Sequence, residues 1–253
     1  MLNHILTAVD FTIATPQLYA RLQTMRDWGT RRITLLYVLR SQYPEAPEVS
    51  HREHYERRLA AAARDLEAEG FQVDWQVRTG NPPAEIVAAA RKVGADTVMA
   101  GTRSESKLSD RFLGSTALNL ARVTDLPLWL EPIFQEPAVR PAKTILLATD
   151  GSPSAEGAGA ALRTLQPRAE RSIVLTVASD GKRTPETLHA LKGVESRVAT
   201  GDPRERIVAI AGETRTDLII LGKRGHTVLR DLMLGSTAES VCRRSGCPVL
   251  LVP

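Results

Sequence analysis

The sequence predicts an α/β protein made of two tandem copies of a five-stranded parallel sheet with helices on both faces. Three observations carry this. Short apolar runs alternate with amphipathic stretches along the whole chain. Residues 79–131 superpose without a gap on 200–252 at an offset of 121, with 20 identities in 53 positions. Aromatic residues make up only 4% of the 253 residues. A core of Ala, Val, Ile and Leu suits buried parallel strands better than an aromatic-rich sandwich.

The repeat extends upstream. His4-Ile5-Leu6-Thr7-Ala8-Val9-Asp10 matches Thr144-Ile145-Leu146-Leu147-Ala148-Thr149-Asp150, but at an offset of 140, so the second copy is 19 residues shorter between its first strand and its Thr-Gly turn. Between the copies, Pro132, Pro137 and Pro141 mark a semi-rigid, non-helical linker. The expected units are 1–131 and 143–253, joined by 132–142.

In the first unit, strands are expected at 4–9, 33–38, 71–77, 97–100 and 126–130. The intervening helices are expected at 16–28, opened by Pro16 and closed by Gly29, then at 50–69, 83–93 and 115–123. Pro83 opens the third of these helices, where its missing N–H costs nothing. The second unit repeats the order at 144–149, 154–166, 172–177, 194–199, 203–213, 217–221, 236–244 and 248–252. Its second helix shrinks to 184–192 and absorbs the missing residues. Strands joined by helices run parallel with right-handed crossovers. The expected order is flavodoxin-like 2-1-3-4-5 or the Rossmann-like variant 3-2-1-4-5.

Composition excludes several classes. The formal charge is +4, and the pairs Arg31-Arg32, Arg57-Arg58 and Arg243-Arg244 are scattered, unlike the concentrated patch of a nucleic-acid binder. Cys242 and Cys247 cannot form a disulfide framework and lack a second ligand pair for zinc. No apolar run reaches the roughly 18 residues that cross a bilayer. The N-terminus opens on strand-like Leu2–Val9 instead of a signal peptide. The expectation is a soluble, cytoplasmic protein without nucleic-acid or membrane partners.

In open α/β sheets, ligands sit beyond the carboxyl ends of the strands where the winding reverses. Two features of the second unit fall there. Asp150 closes its first strand, where it can accept from a ribose hydroxyl or hold magnesium. The loop leaving the fourth strand carries Gly222, Gly225 and Gly235, followed by Ser236 and Thr237 at the start of a helix. Glycines permit close backbone approach, and a helix N-terminus with hydroxyls suits phosphate. Turn glycines and a capping serine would explain one copy of this spacing. Its duplication at the switch point argues for a ligand. The apolar ends of strands one and two would flank a purine.

At these residues the sequence resembles the universal stress protein family. Its nucleotide-binding members carry Gly-x2-Gly-x9-Gly-(Ser/Thr) after strand four and an Asp ending strand one. Gly222, Gly225, Gly235 and Ser236 match without a gap. The resemblance covers both units and implies a Rossmann-like fold, binding of ATP, ADP or AMP, Mg2+ as an optional companion, and a regulatory role in stress survival through a protein partner. It also implies pairing through the last strands, 127–131 and 248–252. Here that gives an intramolecular pseudo-dimer, with a homodimer as a further option.

The first unit departs from the pattern. Asp10, Gly101, Gly114, Ser115 and Thr116 are present, but Ser104 stands where the second glycine belongs. Phe11-Thr12-Ile13 replaces Gly151-Ser152-Pro153, and a Phe there would occlude the crevice. This site is expected to be weak or vestigial. Two other readings stand beside nucleotide-dependent regulation: a slow ATPase or phosphoryl or adenylyl transferase, and a nucleotide-free interaction module. No Walker A sequence and no Gly-x-Ser-x-Gly elbow occurs. Lys223, Arg224, His226 and Arg230 are candidates for screening phosphate charge, as are Arg103, Lys107 and Arg111. Solvated loop residues are the plain alternative. His51 and His54 read as solvent-facing.

Overall fold

The computed structural model describes residues 1–12, 14–40, 48–102, 113–134, 139, 141–178, 193–224 and 234–253, without the side chains of 48–51. The helix expected at 184–192 lies outside these residues. The first half runs β1 (His4–Val9), α1 (Ala14–Thr24), β2 (Arg32–Leu39), α2 (Glu48–Ala68), β3 (Gln72–Thr79), α3 (Pro82–Val93), β4 (Thr97–Gly101), α4 (Ser115–Val123) and β5 (Leu128–Glu131). The second runs β6 (Thr144–Ala148), a 3-10 turn over Pro153–Ala155 into α5 (Glu156–Leu165), β7 (Arg171–Ala178), β8 (Glu195–Thr200), α6 (Pro203–Glu213), β9 (Leu218–Gly222), α7 (Ser236–Arg244) and β10 (Val249–Val252).

Among the described residues these strands form one ten-stranded sheet, ordered β3-β2-β1-β4-β5-β10-β9-β6-β7-β8. Each half therefore has the 3-2-1-4-5 order. The composition of β3 explains why it lies outside. Central strands such as Ile33–Leu36 and Val98–Ala100 are continuously buried, whereas Gln72, Asp74 and Trp75 are exposed on β3. A strand with charges and amides along it fits an edge.

Within each half all pairings are parallel, but β5 and β10 pair antiparallel. Their register sets Trp129 opposite Leu250, Leu128 opposite Leu251 and Leu130 opposite Val249. At the repeat offset of 121, Leu250 is the duplicate of Trp129, and the two outer pairs exchange duplicates. The ladder thus has the self-complementary form of a twofold dimer interface, built inside one chain.

Side chains alternate across this ladder, so both faces are apolar. Leu128, Leu130, Val249 and Leu251 join one core with residues of α3, α4, α6 and α7. Trp129 and Leu250 join the other with residues of α1, α2 and α5. Each core runs through the seam from one half into the other.

Asp96 and Asp217, identical in the repeat, each act at the end of their own half opposite the loop after its fourth strand. Asp96 Oδ2 accepts the N–H groups of Asn3 and His4 at 3.1 and 3.3 Å. Asp217 Oδ2 accepts those of Lys143 and Thr144 at 3.0 and 2.8 Å. Each carboxylate fixes the start of its half's first strand against the fourth.

The halves differ where α1 meets β5. Arg21 Nε and Nη2 donate to Glu131 at 2.9 and 3.1 Å, and Trp129 Nε1 donates to Glu131 Oε2 at 2.8 Å. Arg21 and Glu131 are both buried. Burial raises the Glu131 carboxyl above its ordinary range, with Arg21 opposing the shift. The matching positions in the second half are Ala161, Leu250 and Val252, all apolar. Replacing one member of a buried pair strands a charge, whereas apolar replacement of both often does not destabilise. Arg21→Ala is expected to cost about 3–5 kcal/mol in urea unfolding. The double variant Arg21→Ala/Glu131→Val, which copies the second half, should be the more stable of the two.

Candidate functional site

At the carboxyl end of each half, two stretches of backbone are held together by the same bonds. In the second half, the N–H of Lys223 donates to Val252 O at 2.8 Å, and the N–H of Gly235 donates to Lys223 O at 2.9 Å. The first half repeats this with Thr102 to Glu131 O at 2.9 Å and Gly114 to Thr102 O at 2.7 Å. The loop after the fourth strand thus leaves and returns at one point, and α4 or α7 starts there. The N-cap glycines Gly114 and Gly235 supply no side-chain cap. The first intrahelical donors are Leu118 and Glu239, bonded to those glycine carbonyls at 2.9 Å. The N–H groups of Ser115, Thr116 and Ala117, and of Ser236, Thr237 and Ala238, therefore precede the helical ladder, at the positive end of the helix dipole.

The acid after the first strand sits in a matching turn. Asp150 Oδ1 accepts the Ser152 N–H at 3.0 Å and its hydroxyl at 2.6 Å, with Ser154 Oγ 2.9 Å from Ser152 Oγ. Asp10 Oδ1 accepts the Thr12 N–H at 3.0 Å and its hydroxyl at 2.6 Å. Gly222 brings this turn against the loop. A Cβ added there would lie 3.1 Å from Arg224 O and 3.2 Å from Ser154 O. The structure therefore gathers Asp150, Gly222, Gly235, Ser236 and Thr237 at one end of the second half. It places Asp10, Gly101, Gly114, Ser115 and Thr116 likewise in the first. Gly225 and Ser104 lie outside the described residues, as do Arg103, Lys107, Arg111, His226 and Arg230.

The side chains around the two turns differ. Phe11 holds a left-handed backbone at φ 56°, the conformation Gly151 adopts at φ 71°. Its ring lies 5.3 Å from Tyr37 at the end of β2 and stacks on Tyr55 of α2 at 5.5 Å, with Tyr37 and Tyr55 stacked at 4.0 Å. The Arg58 guanidinium sits over the Phe11 ring at 4.1 Å. Burial pushes the Tyr37 hydroxyl well above its usual range, and a hydrogen bond with Tyr55 adds to the shift. Val9 pairs with Tyr37, and Ala148 pairs with Leu175. The next step puts Thr176 where the first half has Tyr37. Gly151 and Thr176 thus replace two aromatic rings. Beside Gly101, the first half also places Ile133, whose Cγ1 would be 3.2 Å from an added Cβ. Gln17 holds that segment through two hydrogen bonds to the backbone of Phe134, at 2.5 and 3.2 Å. The repeat singles out Phe11 opposite Gly151. Tyr37, Tyr55 and Ile133 carry no such signal in the repeat, although strand register alone marks Tyr37.

Lys223 corrects one expectation. Its side chain does not extend into solvent around the loop. It is 5% exposed, and its Nζ donates to the carbonyl of Thr124, at the C-terminal end of α4 in the other half. Burial lowers its pKa from 10.5 to about 8; Arg224 adds to the shift and Asp125 opposes it. His54 is exposed and meets Tyr55 edge-on. Among the described residues no group of three or more His, Cys, Asp or Glu side chains is placed to hold a metal, and no helix is long and apolar enough to cross a membrane.

The universal stress protein family model matches residues 1–131 and 183–253. A universal stress protein of Thermus aquaticus is 33% identical over 135 residues, covering 44% of this chain and 98% of the relative. One from Methanocaldococcus jannaschii is 42% identical over 59 residues, 23% of this chain and 36% of the relative. One from Bacillus subtilis is 42% identical over 65 residues, 25% of this chain and 44% of the relative. This chain thus spans less than half the length of the last two. A crystal structure of a universal stress protein from Archaeoglobus fulgidus shares the fold over 100% of this chain and 98% of its own, with TM-score 0.84 and 24% identity. A functionally unknown protein from Pseudomonas aeruginosa PAO1 shares it over 99% and 92%, with TM-score 0.74 and 16% identity.

Two outcomes follow from this geometry. Gly222→Ala forces the loop and the start of α5 apart and is expected to cost about 1–3 kcal/mol. The control Gly212→Ala, on the open side of α6 with nothing within 4 Å, should instead be stabilising by roughly 0.4–1 kcal/mol; thermal melts compare them. Because the folded pKa of Lys223 lies below its unfolded value, its charge opposes folding fully below pH 8. That opposition is relieved between about pH 8 and 10.5, a change on the order of 3 kcal/mol. Denaturation from pH 7 to 10.5 should show this rise in the native chain relative to Lys223→Met, which has no proton to release.

Proposed function

Because this chain belongs to the universal stress protein family, we propose that it is an adenine-nucleotide-binding regulator of stress survival that holds ATP, ADP or AMP mainly in its second half. The single observation that carries this reading is the contrast at one backbone frame. Both halves close the ends of the loop and the Asp turn with the same bonds, but the second has Gly151 and Thr176 where the first packs Phe11 and Tyr37.

The residues fit the ligand in chemical kind. This reading seats the purine at the ends of β6 and β7, beside the small residues Gly151 and Thr176. Asp150, oriented by Ser152, offers a carboxylate to a ribose hydroxyl or to Mg2+ beside the phosphates. The leading N–H groups of α7, with the Ser236 and Thr237 hydroxyls, offer donors to phosphate oxygens. Gly222 and Gly235 keep the loop start and return close to the strand ends, where an added Cβ would meet backbone within 3.2 Å. Gly225 would complete the loop. In the first half, Asp10, Gly101, Ser104, Gly114, Ser115 and Thr116 form a vestigial site whose base slot is filled by the chain's own aromatic rings.

On this reading residues 1–131 and 143–253 are the two units, with 132–142 between them. The protein is cytoplasmic and acts through a regulatory protein partner, as a single pseudo-dimeric chain or as a homodimer. Native mass spectrometry with ATP and Mg2+ tests the ligand. One nucleotide per chain is expected, and none for Gly151→Phe, which places a ring where the first half has one. Two nucleotides per chain would overturn the asymmetry. None at millimolar ATP would overturn nucleotide binding and favour the interaction-module reading.

A further inference from the structure

Lys223 occupies an unusual junction. Its backbone N–H and C=O close the second half's loop onto β10 and onto Gly235. Its side chain leaves that half and ends on the Thr124 carbonyl of the first. The negative end of the α4 dipole offsets part of the cost of burying a cation there. The counterpart of Lys223 at the repeat offset is Thr102, which makes the same two backbone bonds and is buried. A threonine is too short to cross the seam. Among the described residues the support therefore runs one way, from the first half to the start of the second half's loop.

A second contact reinforces it. Arg122 of α4 reaches Glu239 of α7 at 3.7 Å across the same seam, and Arg243 holds the same carboxylate at 2.7 Å. Glu239 lies in the first turn of α7, next to the donors assigned to phosphate. The C-terminal part of α4 is thus tied both to the start of the loop and to the helix that ends it.

We propose that Lys223 is a positioning residue through which the first half sets the phosphate affinity of the second-half site. The inference rests on the nucleotide reading above and deepens it. The half without an open base slot becomes a structural activator of the half that has one, and a partner that disturbs the seam near Thr124 would change nucleotide occupancy without touching the site.

The test uses the full chain and two variants: Lys223→Thr, which installs the first half's residue, and Lys223→Met, which keeps the length and removes the charge. Calorimetry measures affinity for ATP and for adenosine, which has no phosphate, alongside urea stability. Loss of a charged hydrogen bond predicts a fall of about 10- to 100-fold in ATP affinity for both variants, with adenosine affinity within about twofold of the unmodified chain. Unchanged ATP affinity in Lys223→Thr would overturn the proposal. So would parallel losses for ATP and adenosine that follow the loss of stability, because that is what a purely structural lysine would give. If the unmodified chain binds neither ligand, the nucleotide reading falls, and this inference with it.

Discussion

The antiparallel ladder between β5 and β10 is the constraint on which the rest of the molecule depends. It converts two sheets into one and makes each core continuous across the seam. It also fixes an orientation. Because the pairing is antiparallel, the carboxyl end of the second half's sheet lies beside the amino end of β5, where α4 terminates. A lysine at the end of β9 can therefore reach the carbonyl of Thr124. A parallel junction would have put the two loop clusters side by side and left Lys223 without that partner. Trp129 shows what the ladder demands: it is fully buried opposite its own duplicate, and emptying its place would cost about 3–5 kcal/mol.

On this shared frame the halves have diverged in side chains more than in backbone. The loop closures and the hydrogen bonds to the two Asp Oδ1 atoms match. What differs is what fills the space around them. The first half accepts a left-handed Phe11, a conformation costing about 1–2 kcal/mol for a residue with a Cβ, and offsets it with stacked rings and an arginine over the ring face. It also buries Arg21 against Glu131 and Trp129 where the second half is apolar. The result is a half that is filled and braced, joined to one whose strand ends carry a glycine and a threonine.

Legibility in the sequence followed locality. The helices α4 and α7 begin and end where the sequence places them, 115–123 and 236–244, because a glycine followed by serine and threonine marks the start and an extended Thr124 or Ser245 the stop. The helix expected at 16–28 instead spans Ala14–Thr24. Its start is tightened by Thr12, whose carbonyl and hydroxyl take the N–H groups of Thr15 and Ala14, and its end passes into successive turns through Gly29. The alternation of strands and helices narrows the strand order to two choices, and the polar pattern of β3 is the physical reason for the one adopted. Asp96 and Asp217 show that identity between repeats also arises from strand anchoring. The Arg21–Glu131 pair joins residues 110 apart, and Lys223 reads as a phosphate-screening or solvated loop cation until the seam is known. Neither carries a local signal, so both required the fold.

The most direct measurement of the asymmetry is amide hydrogen exchange on the full chain with and without saturating ATP. Slower exchange is expected in 149–152, 222–224 and 235–238, with no change in 9–12, 101–102 and 114–117. Equal protection in both sets, or protection confined to the first, would contradict a single nucleotide site braced by a self-filled partner half.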